Sequence, residues 1–302
     1  MKLSQILFIA FFLLFFCSCE SNSKTDEDIV VAKTDTIPQK TTYECKQISR
    51  DTIIQNLDRK IANSEPLFVH IFVPLCDDIN QGIVPTNSSL GDGMNLTTNL
   101  YWGAGYGIKT HFKRLKDWTL IYDTLVDNSD VLERVVFKKT FSNGTVVFLT
   151  ADAYRGDRMY ECIDHYFYAL AGILKKEIII NNDTVKMYGN ADFIIFNGHN
   201  GLMDAQHDYV LTTDGIHRDA AVIACNSKYY FLEYFKYLYA YPLVTTVSLL
   251  PPEAYVAEAI INSWAVLKSE EEIRISARDA MGKIHNKPLT STRKMFSTGW
   301  GE

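Results

Sequence analysis

The sequence predicts an α/β fold, a mainly parallel sheet with helices on both faces, and three observations carry that prediction. Short apolar runs bounded by Gly, Asn and Asp, such as Phe193-Ile194-Ile195-Phe196 and Ala220-Ala221-Val222-Ile223-Ala224, read as strands buried on both faces. Segments of helical periodicity alternate with such runs, as from Met159 to Leu174, where Cys162, Tyr166, Ala169 and Leu170 share one helix face. The chain has 302 residues, 47% of them hydrophobic and 22% charged, which is enough for one α/β domain with a small appendage.

The appendage is at the start. Residues 1–19 read as a targeting segment: Lys2 supplies the positive charge, Ile6 to Phe16 the apolar run, and Ser18 a small residue before Cys19. The run is short for a membrane-spanning helix. Its end resembles the lipobox of bacterial lipoproteins, and the resemblance implies that Cys19 is acylated and becomes the first residue of an exported protein, lipid-anchored in the outer membrane or at the cell surface. Phe16 and Cys17 depart from that pattern, so acylation of Cys17 and ordinary signal-peptidase cleavage are the alternatives. Residues 20–45 are polar and without apolar periodicity, as expected of a disordered tether. Glu20 and Asp26-Glu27-Asp28 resemble the surface-export signals of some Gram-negative lineages; they also fit any linker in an acidic protein. The folded domain is expected over residues 46–302.

Within it, Leu67 to Leu75 is the first strand, and a long loop follows from Asp77 to Asn99. Long ordered loops in compact domains usually carry function. The glycines between Asn99 and Lys109 match neither a phosphate-binding loop nor a dinucleotide motif, and are read as allowing a helix that ends near Leu115 to pack closely on the sheet. Trp118 to Asp123 and Val131 to Phe141 are strands, the second alternating as if one face were exposed. Val146 to Thr150 is a buried strand, leading through Ala151 to Gly156 into the helix from Met159. The runs ending at His199 and Cys225 come next, then a helix from Tyr229 to Tyr239 and a strand from Pro242 to Ser248. Helices from Ala254 to Lys268 and from Glu270 to Ile284 close the series.

A net charge of −6 and the lack of a basic cluster interleaved with aromatics exclude nucleic acid and leave a polypeptide substrate, a protein partner or a small molecule. Of six cysteines, Cys17 and Cys19 belong to the leader. The spacing of Cys45, Cys76, Cys162 and Cys225 gives neither a disulfide framework nor a zinc site. Cys162 reads as core, while Cys45 and Cys76 are the two that an oxidising compartment would allow to pair.

Two of the buried strands end in residues that can do chemistry. One stops at Asn197-Gly198-His199-Asn200-Gly201, the other at Cys225-Asn226-Ser227. Strand carboxyl ends carry the ligand site of open α/β sheets. A cysteine is nucleophilic as thiolate and needs a base or a positive environment, and a histidine, which titrates near neutrality, serves as that base and later protonates a leaving amine. These two stretches resemble the caspase-like (clan CD) cysteine peptidases, in which an apolar strand ends in His-Gly and a second in Ala-Cys or an equivalent pair. The resemblance implies a caspase-like three-layer sandwich and a catalytic dyad of His199 and Cys225. It also implies an oxyanion hole of backbone N–H groups from Cys225 and from Asn200 or Gly201. Asn200 stands where the family has glycine, and Gly201 comes one place later.

The resemblance requires no third carboxylate, and Asp192, Asp204 and Asp214 receive no role. Arg155, just beyond a strand end, is a candidate for binding a substrate carboxylate, against the alternatives of a solvated loop residue or an ion-pair partner. His199, Asp204, His207 and Asp208 do not have the spacing of a known metal motif, so no metal or cofactor is assigned. The expected function is an extracytoplasmic cysteine peptidase or amidase. The alternative is a catalytically inactive caspase-like lipoprotein that binds a partner through the Asp77 to Asn99 loop.

Overall fold

Why the sheet forms where it does is visible in the alternation of its central strand, β1 (Leu67–Pro74). Val69, Ile71 and Val73 pack into one apolar core, and Phe68 and Phe72 into another on the opposite face. A strand apolar on both faces is stable only when both are covered. The computed structural model describes residues 45–292 and 294–301; the expectations for the leader and tether, Cys19 among them, lie outside these residues.

Eight strands form one mixed sheet. Beyond β1 they are β2 (Thr119–Leu125), β3 (Val131–Thr140), β4 (Val146–Tyr154), β7 (Phe193–Asn197), β8 (Arg218–Ile223), β9 (Ala240–Thr246) and the short β10 (Phe296–Ser297), in the spatial order β10-β9-β8-β7-β1-β4-β3-β2. The run β4-β1-β7-β8-β9 is parallel, and β3, β2 and β10 add antiparallel edges. A separate hairpin, β5 (Lys175–Ile180) with β6 (Asp183–Tyr188), lies outside the sheet. Helices α1 (Asp51–Ala62), α2 (Ile108–Arg114), α5 (Ala254–Trp264) and α6 (Glu270–Ile284) contribute Leu57, Phe112, Ile260 and Ile273 to one core. Helices α3 (Met159–Leu170) and α4 (Ser227–Leu238) contribute Tyr166, Phe167, Phe231 and Phe235 to the other. The result is the expected α/β arrangement: a mainly parallel sheet between two helical layers.

The departures have physical reasons. β3 was expected to expose one face, yet it is buried almost throughout. Its polar residues are satisfied inside: Glu133 accepts from Trp102 Nε1 at 2.6 Å, Arg134 pairs with Asp152, and Lys139 reaches Asp117 and Asn262. Alternating charge here marks buried pairs rather than a wet face. The helix from Met159 ends at Leu170 rather than Leu174, because Gly172 at φ +71° turns the chain into the unanticipated β5–β6 hairpin. That hairpin turns on Asn181 and Asn182, both at positive φ, as a two-residue loop demands. Gly103 and Gly107 do not serve helix-on-sheet packing. A Cβ on Gly103 would sit 2.3 Å from the Leu96 carbonyl oxygen, and one on Gly107 2.4 Å from that of Trp102, so both permit backbone-to-backbone packing within the loop after β1. Cys45 is exposed and Cys76 buried, and both are free thiols.

Candidate active site

The parallel register sets the geometry of the site. Asn197, the last residue of β7, pairs with Ile223, the last of β8. His199 and Cys225 each lie two residues beyond that pair, at the exits of adjacent parallel strands. Asn200 ties the two exits together. Its Nδ2 donates to the Cys225 carbonyl at 2.7 Å, and its Oδ1 accepts from Leu202 N–H at 3.2 Å, closing the short 3-10 turn Gly201–Met203. The expectation for Asn200 concerned its backbone; its side chain is a cross-link that the two motifs, read separately, do not reveal.

The Cys225 exit is a tight strand–turn–helix. Asn226 adopts φ 51° and ψ 28°, a left-handed conformation that asparagine accepts better than most residues, and α4 starts at the next residue. Ser227 Oγ donates to the Val222 carbonyl at 2.8 Å, and Thr246 on β9 hydrogen bonds to both Ser227 and the Ala224 carbonyl. Cys225 is thereby held just ahead of the amino end of a 12-residue helix. The thiol is half-buried and donates to the Leu250 carbonyl, with Sγ 3.5 Å from the oxygen.

His199 is 8% exposed, and its Nε2 lies 2.6 Å from Asp204 Oδ2. Its Nδ1 has no hydrogen-bond partner among the described residues. Asp204, which the sequence left without a role, is thus the residue in contact with the imidazole. The available signal was its position five residues after His199, across a Gly-initiated turn. The other two unassigned carboxylates are engaged elsewhere, Asp192 with Lys60 and Phe68 N–H, and Asp214 with Arg218 and Lys175.

The backbone donors divide. Gly201 N–H donates to the His199 carbonyl at 3.1 Å and is committed within its turn. The N–H groups of Cys225 and Asn200 have no acceptor among the described residues. Arg155 lies at the same sheet edge, one residue past β4, but its guanidinium is held in both arms by Asp157 at 2.9 and 2.7 Å. Its Nε and Nη2 are thus engaged in an ion pair at that edge. His207 is taken up by Asp164 at 2.7 Å and stacks on Tyr160, and no group of three or more metal-ligating side chains suited to an ion occurs among the described residues.

Tyr101 stands near the thiol, and Cys76 adjoins Tyr101. Tyr101 is buried, and burial first, then the neighbouring Cys76 and Cys225 sulfurs, pushes its hydroxyl well above the ordinary tyrosine range. Cys76, leaving β1, is pushed up to about 11 by burial, against the opposing hydrogen bonds of Tyr101 and Thr86. Cys162 is driven well above its ordinary value by complete burial. Neither thiol is a nucleophile at neutral pH. No family model matches the chain, and no curated protein or solved structure matches it.

Proposed function

We propose that the protein is a caspase-like cysteine peptidase or amidase in which Cys225 is the nucleophile and His199 the base. The observation that carries this reading is the register: a histidine and a cysteine two residues past a paired position on adjacent parallel strands, their exits joined by Asn200. In the reaction His199 Nδ1 takes the thiol proton, and the thiolate sulfur bonds to the substrate carbonyl carbon. The imidazolium then gives its proton to the departing amine, and water hydrolyses the thioester. The unpartnered N–H groups of Cys225 and Asn200 are the oxyanion donors in this reading. Acylation at Cys19 and lipid anchoring of the exported domain in the outer membrane or at the cell surface complete the proposal.

A second reading, a silent domain that binds a partner, draws on the loop after β1, where Ile79 and Val84 are 90% and 85% exposed. The two separate on the thiol. The peptidase reading expects Cys225 to react with iodoacetamide at pH 7 faster than Cys45, Cys76 or Cys162, with His199→Ala slowing it at least about tenfold. It also expects turnover of a peptide library to vanish in Cys225→Ala. Alkylation that is indifferent to His199, or turnover that survives Cys225→Ala, would reject it.

A further inference from the structure

The His199–Asp204 contact is built from both sides. On its own segment, Asp204 is fixed by the turn, its N–H donating to the Gly201 carbonyl at 3.0 Å. Across from it, the loop leaving β1 brings Gly82 against the carboxylate. Gly82 N–H points at Asp204 Oδ2 from 3.5 Å, and a Cβ on Gly82 would stand 2.6 Å from Oδ1. Gly82 is itself held in place by its neighbour Gln81, whose Nε2 donates to the carbonyls of Leu75 and Gly156 at 2.8 and 3.0 Å. A loose surface pair between a histidine and a carboxylate has no such seat, and contributes little.

We propose that Asp204 is the positioning residue of His199, with the β1 loop seating it through Gly82. The inference rests on the peptidase reading above. A carboxylate at Nε2 keeps the ring proton on that nitrogen and leaves the Nδ1 lone pair to receive the proton of Cys225. When that proton moves, the imidazolium formed lies between a thiolate and the Asp204 carboxylate, whose charge stabilises it. The other ionisable groups of this edge are differently engaged. Asp77 accepts from Ile79, Asn80 and the Asn80 side chain, Asp78 from Thr86, and Arg155 is paired with Asp157, while Tyr101 and Cys76 remain neutral at pH 7.

The test reads the pH dependence of Cys225 alkylation by iodoacetamide in the full chain, beside ¹⁵N NMR of the His199 ring. Asp204→Asn keeps an acceptor and removes the charge, Asp204→Ala removes both, and Gly82→Ala leaves the pair chemically intact but displaces the carboxylate. All three should alkylate about tenfold more slowly at pH 6.5, where the thiol depends on His199 to take its proton. They should return to within about twofold of the parent at pH 9, where solvent hydroxide can take the thiol proton in place of the imidazole. The neutral ring should carry its proton on Nε2 in the parent and in Asp204→Asn, and be mixed in Asp204→Ala. A merely structural contact would slow alkylation equally at both pH values. That result, or unchanged tautomer and rate in Asp204→Ala while His199→Ala still slows the reaction, overturns the role of Asp204 and leaves the dyad standing. Alkylation independent of His199 itself would instead remove the dyad, and this inference with it.

Discussion

Asp152 is a carboxylate with no solvent contact in the middle of a sheet, and its neighbours explain how the fold tolerates it. Burial alone would raise its carboxyl, but the Arg134 guanidinium, bidentate at 2.6 and 2.7 Å, outweighs burial and holds it well below the usual carboxylate range. Tyr188 adds a hydroxyl at 2.7 Å, and the His70 ring stands 3.5 Å away, accepting from Tyr188 N–H through Nδ1. Complete burial pushes His70 below the ordinary histidine range, against the pull of Asp152. Its folded form is therefore neutral where the unfolded chain is protonated. Between the two values the unfolded state binds more protons, so stability is full above about pH 6.5 and is lost as pH falls below it. His217, also lowered by burial first and then by Lys46, acts in the same direction. The urea midpoint should thus drop between pH 7.5 and 5.5, and the drop should shrink in His70→Gln. Asp152→Asn, which leaves Arg134 buried without its counter-charge, should cost about 3–5 kcal/mol at pH 7 in the same assay. A loss under 1 kcal/mol would show that water or rearrangement compensates. None of this network is legible in the sequence, since its members come from β1, β3, β4 and β6 and each alone looks like a polar interruption of a strand.

The elements themselves were legible to the degree that their pattern was local. The apolar runs of β7 and β8 and the capped start of α6, where Ser269 and Glu272 form a reciprocal capping box, announce themselves in the order of residues. The β5–β6 hairpin has its Asn-Asn turn in the sequence, but three isoleucines before it read equally well as the tail of a helical segment. At the candidate site, His199 and Cys225 stood out as strand endings, whereas Asp204 required knowing that the chain doubles back through Gly201–Met203. The element of most consequence is the turn from β8 into α4. Asn226 must be left-handed for Cys225 to sit ahead of the helix, and a β-branched residue resists that conformation. Asn226→Val should therefore lower stability by about 1–2 kcal/mol and slow Cys225 alkylation, while Asn226→Gly should do neither. Differential scanning calorimetry and the alkylation rate measured on each variant check this; equal behaviour of Val and Gly would mean the turn is set by the Ser227–Thr246 hydrogen bonds instead.

Across the whole molecule the two ends of the sheet do different work. At the amino end of β8, Asp219 is fully buried and held by Arg50 Nε and one terminal nitrogen at 2.8 Å each, with Trp264 Nε1 donating at 2.9 Å. One carboxylate thus joins the start of α1, the sheet and the end of α5. Burial would lower the Arg50 guanidinium, but Asp219 more than compensates and raises it. Nearby, Trp300 Nε1 donates to the Ile48 carbonyl at 2.8 Å, drawing the final residues onto the same end. At the opposite end the strands open into loops that carry His199, Asp204, Cys225 and Arg155, with exposed apolar side chains such as Ile79, Val84 and Leu249 around them. Stability and reactivity should therefore respond to different substitutions. Arg50→Met strands the Asp219 charge inside the protein and should cost about 3–5 kcal/mol, yet the native fraction should alkylate at Cys225 within about twofold of the parent rate. Cys225→Ala removes one half-buried sulfur beyond the last paired residue of β8 and should change stability by no more than about 1 kcal/mol, while abolishing the reaction. Urea unfolding of both variants, paired with iodoacetamide kinetics under native conditions, measures the separation. A slowed Cys225 in Arg50→Met would mean instead that the two ends are coupled through β8, and that the turn at Asn226 depends on how firmly that strand is anchored at Asp219.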